Sequence, residues 1–339
     1  MLKGKVISLG ELRKFGSVGN LNEQAKKLVA QQKATWNLAA KNYNGAGSVQ
    51  TLTFDFGHFS IVAQFNPERI RSSAAKTDAK SIAERPCFLC LKNLPKEQKG
   101  ILFQEDYVIL TNPFPIFHAH LTIPSLQHKP QQIPEYLDDM LKLSRELNDF
   151  IVFYNGPQTG ASAPDHFHFQ AGINGLLPIE KEYAELSKNY AEAVLQNSNV
   201  KVFAVSDYLR RFIAIESANC AAIQHVFNMI YRLLPAENNT EPLLNILCNY
   251  KNGGWQVIIF PREKQRTSHF YKDDENRIVV GPASVELGGM LILPRHEDFN
   301  KITQKTIEEI YSEVTISKGV FRQIIQQIKI NSTLTLRSK

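Results

Sequence analysis

Residues 151–170 read IVFYNGPQTGASAPDHFHFQ, and this stretch constrains the chain more than any other. Ile151 to Tyr154 are apolar and predict a buried strand. The following residues, 155–164, are small or polar, and Gly156, Pro157 and Gly160 mark them as a loop. His166-Phe167-His168-Phe169-Gln170 then alternates with the period of a second strand. Alternate side chains of a strand share a face, so His166, His168 and Gln170 are expected to point one way and Phe167 and Phe169 into a core. A lone strand histidine is most often structural. Two imidazoles and an amide lined up behind a flexible loop predict an active site.

The surrounding residues supply the frame. Leu21, Ala25, Leu28, Gln32, Trp36 and Ala39 recur at helical spacing, and the region 50–65 alternates as two strands around Gly57-His58. Residues 69–85 are basic, with Arg69, Arg71, Lys76, Lys80 and Arg85 as a solvated face or as partners for phosphates. Cys87-Phe88-Leu89-Cys90 follows. Tyr107 to Leu110 and His120 to Pro124 read as strands separated by Asn112-Pro113-Phe114-Pro115. Ile133, Leu137, Met140, Leu143, Leu147 and Phe150 form the stripe of a helix. Beyond residue 172, helices are expected over 179–196 and 207–234, strands over 243–249, 255–261 and 278–294, and a closing helix over 303–330.

The pattern His166-x-His168-x-Gln170, preceded by Gly160-Ala161-Ser162, resembles the histidine-triad (HIT) superfamily. Within it the chain is similar to the transferase branch of galactose-1-phosphate uridylyltransferase, diadenosine tetraphosphate phosphorylase and GDP-hexose phosphorylases. Hydrolases of the superfamily carry a third histidine where Gln170 stands. The resemblance is close over residues 85–172 and implies an α+β fold, a HIT-like antiparallel sheet with packed helices. Residues 255–262 and 285–290 resemble the C-terminal half of the phosphorylases, a degenerate HIT-like repeat. The expected division is a catalytic domain over 1–198 and a second HIT-like domain without the histidine motif over 199–339. Residues 288–296 echo residues 119–124 in pattern.

The resemblance assigns roles. His168 is the expected nucleophile, since a neutral imidazole attacks phosphorus near neutral pH, giving a nucleotidyl-histidine. Gln170 can donate a hydrogen bond to a phosphoryl oxygen but is no acid or base, which suits transfer to an anionic acceptor rather than to water. Asn155 and Ser162 are expected to hold phosphates, Asn112 and Phe114 to contact the nucleoside, and His120 to face the same region. Cys87-x-x-Cys90 is by itself compatible with zinc, a reduced thiol pair or a redox pair. The family completes it with two histidines, here His128 and His166, which implies structural zinc.

Composition bounds the rest. A formal charge of +6 over 339 residues fits an anionic substrate, and no basic run with interleaved aromatics points to a nucleic acid polymer. Four cysteines are too few for a secreted disulfide scaffold, and the start of the chain is a poor signal peptide. No apolar run approaches a membrane span, so no membrane partner is expected and a cytoplasmic location is. The expected function is a nucleotidylyltransferase or phosphorylase taking a nucleotide sugar or a dinucleoside polyphosphate, with phosphate or a sugar phosphate as acceptor. Arg262 and Lys264 join the cations above as candidates to hold that acceptor. The alternatives are a hexose-1-phosphate uridylyltransferase, a nucleotide hydrolase and a non-catalytic nucleotide-binding protein. Members of the family often form homodimers, and no interface is legible here.

Overall fold

The computed structural model describes residues 4–47, 49–70, 78–236 and 240–337. Two strands come first, β1 (Gln50–Asp55) and β2 (Ser60–Phe65), paired antiparallel. Then follow β3 (Gly100–Phe103), β4 (Tyr107–Thr111), β5 (His120–Pro124), a helix over Leu137–Glu146, β6 (Phe150–Asn155) and β7 (His168–Ile173). The same succession recurs: β8 (Glu192–Gln196), β9 (Lys201–Val205), β10 (Phe212–Ser217), a helix over Cys220–Leu233, β11 (Leu244–Lys251) and β12 (Gly254–Pro261). These ten strands form one antiparallel sheet in the order β3-β4-β5-β7-β6-β11-β12-β10-β9-β8. Each half reads three strands, a helix and two strands, and the halves meet where β6 pairs with β11, Tyr154 opposite Ile246 and Asn155 opposite Asn245. The expected α+β, HIT-like sheet followed by a degenerate second half is therefore the architecture observed.

Strand periodicity sorts the side chains into two cores. Val152, Tyr154, Phe167 and Phe169 pack with Leu28 and Trp36 and with the Leu137–Glu146 and Cys220–Leu233 helices. Ile151 and Phe153 face the other way. There they pack with Ile61 and Ala63 of β2 and with β13 (Met290–Leu293), which pairs parallel to β2 in a separate three-stranded sheet. His168 and Gln170, one residue out of step with Phe167 and Phe169, lie on this second face.

Several sequence expectations need correcting. The helix from residue 21 breaks at Trp36, whose extended backbone separates Leu21–Thr35 from Asn37–Ala46. Residues 179–196 divide into a short helix, a π-turn and β8, and 207–234 contains β10 before its helix. Phe212 to Ile215 are all buried, and a fully buried strand has no alternation to distinguish it from a helix. Residues 278–294 hold only β13 and a short helix over Ser284–Leu287, and the closing helix is two, Gln304–Val314 and Lys318–Arg337. The echo at 288–296 is not the repeat of β5. That segment lies in the small sheet, and the topological counterpart of β5 is β10. Arg71 and Lys76 lie outside the described residues.

Candidate active site

β7 begins at His168, so His166 stands just before the strand and does not share the face of His168 and Gln170 as expected. The two histidines diverge. His166 Nε2 donates to the Ser125 carbonyl at 2.7 Å, which leaves Nδ1 as a lone pair. That Nδ1 lies 3.2 Å from Cys87 Sγ and 3.6 Å from Cys90 Sγ, and His128 Nδ1 lies 3.3 Å from Cys90 Sγ. All four ligand atoms fall within 4.8 Å of one another. A tetrahedral zinc with ordinary Zn–S and Zn–N bonds sets its ligands about 3.3–3.8 Å apart, so the donor set fits a metal ion. Both imidazoles also have outer partners, the Ser125 carbonyl for His166 and the Asp165 carboxylate, 3.7 Å from His128 Nε2.

His168 is buried, and burial pushes its pKa down to about 4. Its Nδ1 lies 2.8 Å from the His166 carbonyl. A carbonyl only accepts, so Nδ1 carries the proton and the Nε2 lone pair is left toward the cavity. The backbone around it is clamped by a residue the sequence did not single out. Gln131 accepts from His168 N at 2.8 Å and donates to the carbonyls of His168 and Asn155 at 2.9 and 3.0 Å.

Gln170 is oriented from behind. Ile116 N–H donates to His120 Nδ1 at 3.2 Å, which puts the His120 proton on Nε2, 3.1 Å from Gln170 Oε1. Full burial, with Arg69 nearby, lowers the His120 pKa to about 3 and keeps this tautomer neutral. The Gln170 NH2 therefore faces away from His120. Asn112 closes a turn: its Oδ1 accepts from Phe114 N at 2.9 Å, and its Nδ2 donates to Thr122 Oγ1 at 3.0 Å and to Gln170 Oε1 at 3.5 Å.

The loop between β6 and β7 is held close to the second half. Thr159 Oγ1 donates to the Leu244 carbonyl at 2.6 Å, so Ser162 keeps the hydroxyl nearer the cavity. Gly160 has φ +111°, and a Cβ there would lie 2.5 Å from Ala283 Cβ, so both conformation and space require glycine. A cavity of about 640 Å³ opens beside this loop, with His168, Gln170, Asn155, Ser162, Asn112, Phe114 and His120 all in its wall. Trp36, Leu38 and Phe88 add apolar surface, and Arg69 and Arg85 add charge. Arg85 Nη2 pairs with Asp165 at 2.8 Å while its Nη1 is buried without an acceptor among the described residues. Arg69 Nη1 donates to the Phe114 carbonyl and its Nε has no acceptor among them either. Lys264 is at the surface with Glu313, and Arg262 is buried with every donor committed to protein oxygens, so neither is offered to an acceptor anion as expected.

The fold, and the strand carrying His168 and Gln170, are similar to those of HIT-like proteins of the transferase branch. Comparison with known proteins agrees. Residues 28–173 match a family described as "Domain of unknown function (DUF4922)", and residues 182–334 match "GDPGP1-like, C-terminal domain". GDP-L-galactose phosphorylase 2 of Arabidopsis thaliana is 27% identical over 230 residues, 64% of this chain and 50% of that protein. The chain thus spans about half the length of this curated relative. Among solved structures, yeast Ap4A phosphorylase Apa2 superposes with a TM-score of 0.54 at 14% identity, covering 84% of this chain and 94% of Apa2. Its complex with Ap4A gives 0.53 at 13% identity, covering 88% and 99%. Both likenesses concern the fold.

Proposed function

We propose that this protein is a nucleotidylyltransferase of the phosphorylase type, acting on a nucleotide sugar or a dinucleoside polyphosphate through a nucleotidyl-His168 intermediate. The observation that carries this reading is the His168 tautomer, with Nδ1–H spent on the His166 carbonyl and Nε2 left toward the cavity. In the first step the Nε2 lone pair attacks the phosphorus and the P–O bond to the leaving phosphate breaks. Nδ1–H stays on its carbonyl and stabilises the cationic ring. In the second step a phosphate oxygen attacks the same phosphorus, the P–N bond breaks, and a nucleoside diphosphate leaves. The NH2 groups of Gln170 and Asn155 and the Ser162 hydroxyl donate to the phosphoryl oxygens, where charge builds. Gln170 cannot take a proton from water, so an acceptor that is already anionic is favoured.

The similarity to a GDP-L-galactose phosphorylase and the GDPGP1-like match favour a GDP-hexose as the first substrate to try, and the fold of Apa2 favours Ap4A as the second. The aromatic wall of Trp36, Phe88 and Phe114 suits a nucleobase, with Asn112 fixing the Phe114 turn. Cys87, Cys90, His128 and His166 would hold zinc, which when bound ties the segment before β3 to the start of β7 and so fixes His168. We assign the catalytic role to residues 1–198 and a supporting one to 199–339. A reducing compartment suits the free cysteines, and we place the enzyme in the cytoplasm; among the described residues no helix is long and apolar enough to cross a membrane.

Intact mass spectrometry after incubation with GDP-glucose or Ap4A tests the reading. The expected result is one added nucleoside monophosphate, discharged by inorganic phosphate as a nucleoside diphosphate. An unmodified protein that turns over neither compound would sink it.

A further inference from the structure

The second half lacks the histidine motif, yet its most fully hydrogen-bonded charge sits at the seam beside the site. Arg262 donates all five of its N–H groups: Nε to the Val314 carbonyl at 2.9 Å, Nη1 to Asn245 Oδ1 at 2.6 Å and to the Pro282 carbonyl at 2.8 Å, and Nη2 to the carbonyls of Lys264 and Gln265 at 2.9 and 3.3 Å. A guanidinium cannot accept, so the Asn245 atom facing it is oxygen. Asn245 Nδ2 then donates to the Thr159 carbonyl at 2.8 Å and to Asn155 Oδ1 at 2.9 Å. Ser284 N–H donates to that same Asn155 oxygen at 2.9 Å. Arg262, the Thr159 carbonyl and the Ser284 N–H each have one possible role, so together they fix both amides. Asn155 is left with its NH2 turned away from the seam, without a hydrogen-bond partner among the described residues and in the wall of the cavity that holds His168.

We propose that Arg262 and Asn245 are positioning residues that set the Asn155 amide with its NH2 toward the phosphoryl group, so that the second half supplies orientation to a reaction carried by the first. This rests on the transfer reaction proposed above. A reversed Asn155 would place its NH2 against two donors, the Ser284 N–H and the Asn245 NH2, and its oxygen against the anionic substrate. The relay excludes that state before substrate arrives, as preorganised donors require.

The test is Asn245→Asp, which keeps the size of the side chain and the Arg262 partner but removes the donor to Asn155. Single-turnover nucleotidylation by GDP-glucose or Ap4A is followed in the wild type, in Asn245→Asp, in Asn155→Ala and in the double variant. The single Asn245→Asp change should slow nucleotidylation about 10- to 100-fold with KM shifted less than about threefold, and should add nothing in the Asn155→Ala background. Asn245→Ser, whose single hydroxyl proton can serve only one acceptor, gives the same comparison should the carboxylate prevent folding. An unchanged rate in folded Asn245→Asp, or an equal slowing with and without Asn155, overturns the positioning role alone. A wild-type protein that forms no adduct overturns the proposed function and this role with it.

Discussion

The two halves of the large sheet repeat one connectivity and fill it differently. On β7 the face toward the small sheet carries His168 and Gln170 beside a cavity. On β12, its counterpart, the same face carries Ile258 and Phe260, which pack with Leu247, Phe203 and Phe212 and leave no comparable opening among the described residues. The difference is made by side-chain volume on a common backbone. In the first half small residues bring the chain close: Phe117 lies so near Gly172 that a Cβ there would sit 2.4 Å from the ring. The first half thus keeps a cavity beside His168 and Gln170, while the corresponding face of the second half is filled by packed apolar side chains.

The largest expected effect breaks the comparison most directly. His168→Ala should abolish the nucleotidyl adduct and lower turnover by on the order of 10⁴-fold, because it removes the attacking atom. Gln256→Ala, on the equivalent strand of the second half, should leave turnover within about twofold. Comparable losses from both would mean that the second half has chemistry of its own. Metal content gives the next contrast. Cys87→Ser should reduce bound zinc from about one per chain to near none and lower the melting temperature, since a structural metal contributes its binding energy to folding. Cys248→Ala, a buried thiol of the second half, should keep its zinc.

A smaller effect concerns His120. Replacing it by Phe removes the nearer donor to Gln170 Oε1 and leaves the 3.5 Å contact from Asn112 Nδ2, and kcat should fall on the order of tenfold, less than the loss of a direct donor to the phosphoryl oxygens. The same variant reports a pH dependence. The folded pKa of about 3 is below the unfolded value near 6.5, so the unfolded chain binds the extra proton first. The stability contributed by neutral His120 is complete above pH 6.5 and is lost as pH falls toward 3. Between pH 7.5 and 5.5 the wild type should lose about 1.4 kcal/mol more than His120→Phe. Parallel stability curves would show that His120 titrates normally.

Much of the first half was legible because its chemistry is local. Cys87 with Cys90, and His166 with His168 and Gln170, lie close in sequence, and the turn residues between β6 and β7 announce the loop. The register was harder. Both Phe167 and Phe169 are buried as alternation predicts, but the strand starts two residues later than the pattern suggests, and His166 turns to the cysteines. In the second half, buried strands such as β10 carry no alternation and read as helix. Arg262 read as a phosphate ligand because a sequence records its charge but not its five carbonyl and amide acceptors. Gln131 and Asn245 were invisible for a related reason: an uncharged amide becomes informative only when its partners, many residues away, are known.

The smallest effect separates the cations that sequence alone could not rank. Arg85 reaches the cavity wall with one nitrogen lacking an acceptor among the described residues, while its other arm is held by Asp165. Arg85→Ala should raise the KM for inorganic phosphate about tenfold, as the loss of one charge-assisted contact would. Lys264 belongs to the second half and was an equal candidate by charge and proximity to Arg262. Its ammonium lies 3.4 Å from the Glu313 carboxylate, and more than half of its side chain is exposed. Exposed pairs of this kind contribute little, so Lys264→Ala should change stability by less than about 1 kcal/mol and leave the phosphate KM within about twofold. Steady-state rates against phosphate concentration, at constant ionic strength, measure both variants together. Should Lys264→Ala match Arg85→Ala, the second half would supply a cation to the acceptor, and the division between a reactive half and a supporting half would have to be redrawn.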